Sequence, residues 1–159
     1  MIEYSIIIPC YNSEEYLESC FKSLLNISYE IDSFEVLFVD DCSSDQTVEK
    51  INGFITNNKI NAKLLKNLVN SGPGASRRYA AENASGEYLL FCDSDDWYDA
   101  DILKDVDKEI SKCGSDLVIF DMSYVLGDKY VRKNYTSSYH YGDKLSYRYR
   151  RLMRPMLVG

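Results

Sequence analysis

Ser5-Ile6-Ile7-Ile8-Pro9 lies close to the start of the chain and is apolar and β-branched at its centre. A run that is apolar at consecutive positions, rather than at alternate ones, predicts a strand buried on both faces. A second such run, Phe34-Glu35-Val36-Leu37-Phe38-Val39, ends in Asp40-Asp41-Cys42-Ser43-Ser44-Asp45. Ala62 to Leu65 is a weaker third strand. Tyr88-Leu89-Leu90-Phe91-Cys92 is a fourth and ends in Asp93-Ser94-Asp95-Asp96.

Helical patterns fill the gaps. Asn12, with Glu15 three residues on, reads as a capping box before the stripe Leu17, Cys20, Phe21, Leu24 and Leu25. Ser43 and Gln46 are positioned to cap a second helix with Val48, Ile51, Phe54 and Ile55 on its apolar face. Asn70-Ser71-Gly72-Pro73-Gly74 reads as a turn, with Pro73 suited to a first helical turn. Ala75 to Ala84 then form a small-residue helix stopped by Gly86. A fourth helix carries Ile102, Leu103, Val106 and Ile110 and closes at Gly114, before a fifth strand from Leu117 to Phe120. Strand and helix alternate throughout, which predicts an α/β domain around a mostly parallel central sheet flanked by helices.

The composition agrees. The chain has 159 residues, 45% hydrophobic and 27% charged, with three prolines and eight glycines. This describes one globular domain with room for an appendage, and excludes disordered and collagen-like chains. The apolar runs are about five residues long, against the roughly 20 a membrane-crossing helix needs. Met1-Ile2-Glu3-Tyr4 has neither the basic start nor the apolar stretch of a secretory signal. Five widely spaced cysteines without a C-x-x-C pair read as small buried thiols in a reducing cytoplasm, not as a disulfide framework or a zinc site.

Charge divides the chain. The net charge is −7, but the 31 residues from Lys129 hold eight cations and one acid, Asp143, leaving −14 on residues 1–128. An acidic body argues against nucleic acid as a partner, because phosphate contacts need clustered cations. The sequence therefore divides into residues 1–126 and a basic, tyrosine-rich tail, residues 127–159. The tail segment Tyr147-Arg148-Tyr149-Arg150-Arg151-Leu152-Met153-Arg154 has two readings: a peripheral contact with an anionic membrane surface, or a solvated helix packing on further protein. The single histidine, His140, lies in this irregular stretch with no nucleophile elbow to serve.

In an open parallel sheet, ligands bind beyond the carboxyl ends of the strands. Asp40, Asp41, Asp93, Asp95 and Asp96 would all reach that rim. Crowded carboxylates raise one another's pKa and call for a compensating cation. Mg²⁺ and Mn²⁺ prefer such oxygen ligands, and Mg²⁺ commonly shares them with substrate phosphates. Asp45 and Asp99 read instead as helix caps. The glycine turn entering a helix at Asn70 to Arg78 would offer backbone N–H groups to an anion, with Arg77 and Arg78 adding charge. It is not a P-loop, since Gly-Lys-Ser/Thr is absent.

The runs Ser5–Asn12, Val39–Asp45, Asn70–Arg78 and Gly86–Asp96, in this order and spacing, resemble the motifs of family 2 glycosyltransferases over residues 4–126. The resemblance implies a GT-A, Rossmann-like fold and a nucleotide-sugar donor, commonly a UDP-sugar. It implies that Pro9, Tyr11 and Glu14 line the nucleoside pocket and that Asp41 faces the base. Asp93 would meet the ribose, beside Ser94, and Asp95 would hold Mn²⁺ or Mg²⁺ against the diphosphate. Arg77 falls where the family has its arginine, whereas Arg78 and Ala80 depart from the pattern. Inverting members take their general base from an acid well downstream, and no matching acidic motif follows Asp101. The base is therefore expected beyond Gly159, the tail is expected to begin the acceptor-side region, and the chain reads as the donor-binding part of a longer enzyme. Its acceptor would be a glycan or lipid-linked, its location cytoplasmic or at the inner membrane face. Two other readings fit the pattern: a nucleotide-sugar-binding module without transfer, and a flavodoxin-like or response-regulator-like domain, which lacks an equivalent of Asn70–Arg78.

Overall fold

A computed structural model describes residues 1–114 and 116–118 and two later strands, Tyr124–Leu126 and Lys129–Val131. Met1–Asp105 forms one compact unit, and a second begins at Val106. In the first unit, four parallel strands make one sheet: β1 (Tyr4–Cys10), β2 (Phe34–Asp40), β3 (Ala62–Lys66) and β4 (Tyr88–Phe91), in the spatial order β3-β2-β1-β4. Helices α1 (Leu17–Leu25), α2 (Thr47–Asn57) and α3 (Gly72–Asn83) join them in turn, and α4 (Ile102–Cys113) follows β4. The second unit contains an antiparallel hairpin, β5 (Tyr124–Leu126) with β6 (Lys129–Val131), which straddles the sequence division at residue 126.

β1 and β2 are buried at all seven positions each, as their unbroken apolar runs predict. Helices cover both sheet faces. On one, Phe38 of β2 meets Phe21 of α1 and Phe54 of α2, with Phe21 and Phe54 stacked at 4.3 Å between centroids. On the other, Ile7, Leu37 and Val39 pack against Ala80, Ala81 and Ala84. The alanines of α3 let its backbone come close to the sheet, which accounts for a helix with so weak an apolar stripe.

Two residues that look misplaced in the sequence fit the topology. Pro9 lies inside a central strand, where a missing N–H usually breaks a ladder. Tyr88 N–H donates to Glu3 and Cys92 N–H to Ile7, so alternate residues of β1 face β4, and Pro9 is next in that series. β4 pairing ends at Ile7↔Phe91, so Pro9 forfeits no ladder bond. Gly86 does not end α3, which stops at Asn83. A Cβ at Gly86 would lie 2.6 Å from Ser5 N and 2.7 Å from Tyr4 C, so glycine is required for the chain to pass against β1.

Other local expectations change for tertiary reasons. α1 begins only at Leu17, with no side-chain cap from Asn12, whose Oδ1 accepts the Ser44 N–H instead. Leu25, expected in the α1 stripe, is exposed. No side-chain cap from Gln46 forms at α2; Asp45 Oδ1 accepts the Thr47 N–H, in keeping with a capping role for Asp45. α3 starts at Gly72, three residues before the expected Ala75, with Pro73 in its first turn. Leu117 and Val118 are not in a strand, and the rest of the expected fifth strand falls outside the described residues. So do His140 and, but for the backbone of β6, the basic tail. Among the described residues no helix is long and apolar enough to cross a membrane.

Candidate active site

The order β3-β2-β1-β4 reverses direction between β1 and β4, so their carboxyl ends diverge and leave a crevice. A cleft of about 270 Å³ opens there, with Pro9, Tyr11, Asp41, Arg77, Asp93, Ser94 and Asp95 in its lining. Seven of the eight residues marked out in the sequence for the donor or metal thus meet in one place. Glu14 does not line the cleft. Its Oε2 accepts the Gln46 N–H at 2.7 Å and its carbonyl accepts Lys50 Nζ at 2.7 Å.

Glu14 belongs to a seam between the loops after β1 and β2. Asn12 N–H donates to Ser43 Oγ, Ser13 N–H to Thr47 Oγ1 and Glu14 N–H to Asp45 Oδ2. Asn12 and Cys42, both at positive φ, turn the two loops toward each other. The seam holds Tyr11 and Asp41 in fixed relation at the cleft edge.

Asp41 is buried, and its carboxylate is fully engaged from one side. Oδ1 accepts Asn67 Nδ2 at 2.6 Å and the Ser71 N–H at 3.0 Å, while Oδ2 accepts the Gly72 N–H at 2.7 Å. Burial pushes the Asp41 pKa up, but the donors of Asn67, Ser71, Gly72 and the Ser76 hydroxyl together outweigh it and hold it below the ordinary carboxylate range. The N–H groups expected to bind a foreign anion at Asn70–Gly74 are therefore partly taken by Asp41. Asp40 likewise turns back on its own loop, accepting the Ser43 N–H at 3.2 Å. The five aspartates are thus not one cluster: two are bound to backbone donors, and three remain together.

Those three follow β4. Asp96 N–H donates to the Asp93 carbonyl and closes a tight turn, and Tyr98 Oη anchors its base on the Phe91 carbonyl at 2.8 Å. The turn places carboxylate oxygens of Asp93, Asp95 and Asp96 within 4.8 Å of one another. Partial burial, and then the charges of Asp95 and Asp93, raise the Asp96 pKa. Asp93 is also ion-paired with Arg77 of α3. An exposed group of three hard oxygen donors beside a cleft fits a divalent cation shared with a phosphate ligand.

Further lining residues were not assigned individually from the sequence: Cys10, Asn70 and Ser76 fall inside the family motifs, and Ser13 lies outside them. Ser13 and Ser76 are buried side chains on the cleft wall, and Asn70 and Cys10 complete it. Asn67, which donates to both Asp41 and Ser76, supports the cleft from behind. Ser13 and Asn67, small polar residues outside every one of those motifs, have no periodicity to betray them. Burial raises the Cys10 thiol far above its ordinary range, so the thiol on the cleft wall is protonated and is no nucleophile.

Comparison with known proteins agrees with this geometry. The chain belongs to glycosyl transferase family 2, whose pattern matches residues 5–158. It is 40% identical over 128 residues to the poly(ribitol-phosphate) beta-N-acetylglucosaminyltransferase TarS of Staphylococcus aureus, covering 80% of this chain and 22% of TarS. It is 39% identical over 103 residues to a poly(ribitol-phosphate) beta-glucosyltransferase of Bacillus spizizenii, covering 64% of this chain and 16% of that protein. The crystal structure of residues 1–349 of S. aureus TarS in complex with UDP superposes with a TM-score of 0.75 at 38% identity, covering 80% of this chain and 38% of that one. The fold is the GT-A, Rossmann-like fold. The chain spans about a fifth of the length of these curated relatives.

Proposed function

We propose that this chain is the donor-binding part of an inverting glycosyltransferase that takes a UDP-sugar. The observation that carries the reading is the convergence of Asp41, Arg77 and the Asp93–Asp95 turn on one cleft at the switch point of the sheet. The relatives named above transfer sugars, and UDP is bound by the superposed TarS structure.

In this reading Pro9 and Tyr11 form the nucleoside wall. Asp41, its carboxylate fixed by donors from Asn67, Ser71 and Gly72, stands on the cleft wall facing the base. Asp93 and Ser94 meet the ribose and diphosphate. Asp95, with Asp93 and Asp96 beside it, would hold Mn²⁺ or Mg²⁺. Such a cation supplies Lewis-acid stabilisation of the diphosphate leaving group. Arg77 contributes fixed positive charge at the same end of the cleft. The general base that takes the proton of the acceptor hydroxyl is assigned outside the donor cleft, where Asp41 and Asp93 are already engaged by donors. The acceptor is a glycan or lipid-linked chain, for which the poly(ribitol-phosphate) in the relatives' names is one precedent. The basic stretch from residue 127 is assigned to the acceptor side, with peripheral contact to an anionic membrane surface.

Isothermal titration with UDP, with and without Mn²⁺, tests the reading. Binding that strengthens with Mn²⁺ and loses that gain in Asp95→Ala supports it. No binding of UDP, or binding indifferent to both changes, overturns it.

A further inference from the structure

The loop after β1 and the turn after β4 are joined by a contact between two hydroxyls. Ser13 Oγ lies 2.8 Å from Ser94 Oγ, across 81 positions of sequence. Both residues line the cleft, and Ser13 is 3% exposed. Tyr11 N–H donates to Ser13 Oγ at 3.2 Å, and the Tyr11 carbonyl is 3.3 Å from the same oxygen.

A hydroxyl has one proton to give and two lone pairs to receive with. The single Ser13 proton can go to one of two acceptors: the Tyr11 carbonyl, which satisfies all three contacts, or Ser94 Oγ, which exchanges the 3.3 Å bond to that carbonyl for the 2.8 Å one. In the first arrangement, Ser13 accepts from Ser94, whose proton is then turned away from any ligand. In the second, Ser13 gives its proton to Ser94, and the Ser94 proton is free. A phosphate oxygen can only accept, so an anion beside Ser94 selects the second arrangement. Hydrogen bonds in series also polarise one another, which strengthens the outer donor.

We propose that Ser13 is a positioning residue for the nucleotide diphosphate: by donating to Ser94 it directs the Ser94 hydroxyl proton to a phosphate oxygen, so that the two serines act as one unit. This rests on the donor site proposed above. It gives Ser13 a role in recognition of the diphosphate that is separate from the nucleoside wall formed by its neighbour Tyr11.

The test compares UDP with uridine, both with Mn²⁺ present, by titration of the 159-residue chain and by competition. Ser94→Ala is expected to weaken UDP about tenfold and uridine less than about twofold. Ser13→Ala is expected to show the same selectivity, and the double variant to bind UDP no more weakly than the worse single variant. Equal loss of UDP and uridine in Ser13→Ala would mean a general structural role and overturn the proposal, as would losses that multiply in the double variant. Ser94→Ala binding UDP like the unaltered chain would overturn it whether or not Ser13→Ala folds. Failure of the unaltered chain to bind UDP would sink the donor-site reading itself, whereas UDP binding without these selective losses sinks the serine pair alone.

Discussion

The guanidinium of Arg77, on the second turn of α3, is ion-paired with the carboxylate of Asp93, just past the end of β4. The pair ties the helix that follows β3 to the turn that follows β4. Among the described residues that line the cleft, Arg77 is the one cation.

Arg77→Ala is therefore expected to weaken UDP binding about 10- to 100-fold, the range for losing charge-assisted hydrogen bonds to an anion. Arg77→Lys should recover only part of this, because a point charge cannot reproduce the planar fork. Titration calorimetry at two salt concentrations reads both effects. An Arg77→Ala chain that binds UDP normally would show that the arginine serves Asp93 alone.

Asp41→Asn should destabilise the fold by about 1–3 kcal/mol, because the new amide N–H₂ must face the backbone N–H groups of Ser71 or Gly72. Urea denaturation measures it. An unchanged midpoint would mean that the start of α3 does not depend on this carboxylate.

Acid should unfold the protein through a small set of carboxylates. Asp41, Asp45 and Glu35 all have folded-state pKa values below the ordinary range. For Glu35 burial pushes upward, but donors from the Ser85 backbone, Lys63 and Ser5 together outweigh it. Their stabilisation is full above the unfolded values of about 3.9 for Asp and 4.3 for Glu, and is lost as pH falls through the lower folded values. The urea midpoint should therefore drop steeply below about pH 4. A midpoint that holds steady down to pH 3 would contradict this.

Asp96 runs the other way. Its raised pKa means that the folded state favours the protonated form, so its contribution is fullest below the unfolded value and is lost as pH rises through the folded one. Asp96→Asn should stabilise the metal-free chain at pH 7 by less than about 1 kcal/mol, because the group is exposed and screened. The gain should vanish near pH 3. Thermal melting at the two pH values, without divalent cations, checks this; equal gains at both would implicate something other than charge.

Gly86→Ala should cost about 1–3 kcal/mol or prevent folding, since the added methyl meets β1 backbone at 2.6 and 2.7 Å and backbone cannot move aside. Gly53→Ala, where nothing lies within 4 Å of the new Cβ, is the control and should be neutral or stabilising. Comparable losses in both would refute the close approach.

The strands were legible in the sequence because burial on both faces leaves an unbroken apolar run, as in Ile6-Ile7-Ile8 and Val36-Leu37-Phe38-Val39. That three of these strands end in polar residues was also local information, and so was the rim on which Asp93 and Asp95 stand. Helix starts were less legible. Asn12 and Ser43 have capping chemistry but spend it on each other's loops, and a bond between segments some 30 positions apart leaves no trace in either.

What the amino-acid order determined alone is the alternation of elements, the family motifs and the set of acids available to a ligand. The tertiary structure alone decided which of those acids stay together. Asp41 is drawn off by the first turn of α3, Glu14 by the loop after β2, and Asp93, Asp95 and Asp96 remain as a group. It also brought Ser13 to Ser94. The reason is range: periodicity reports which face of an element is buried, whereas a hydrogen bond between loops depends on strand order and register, which are set by pairings between distant segments.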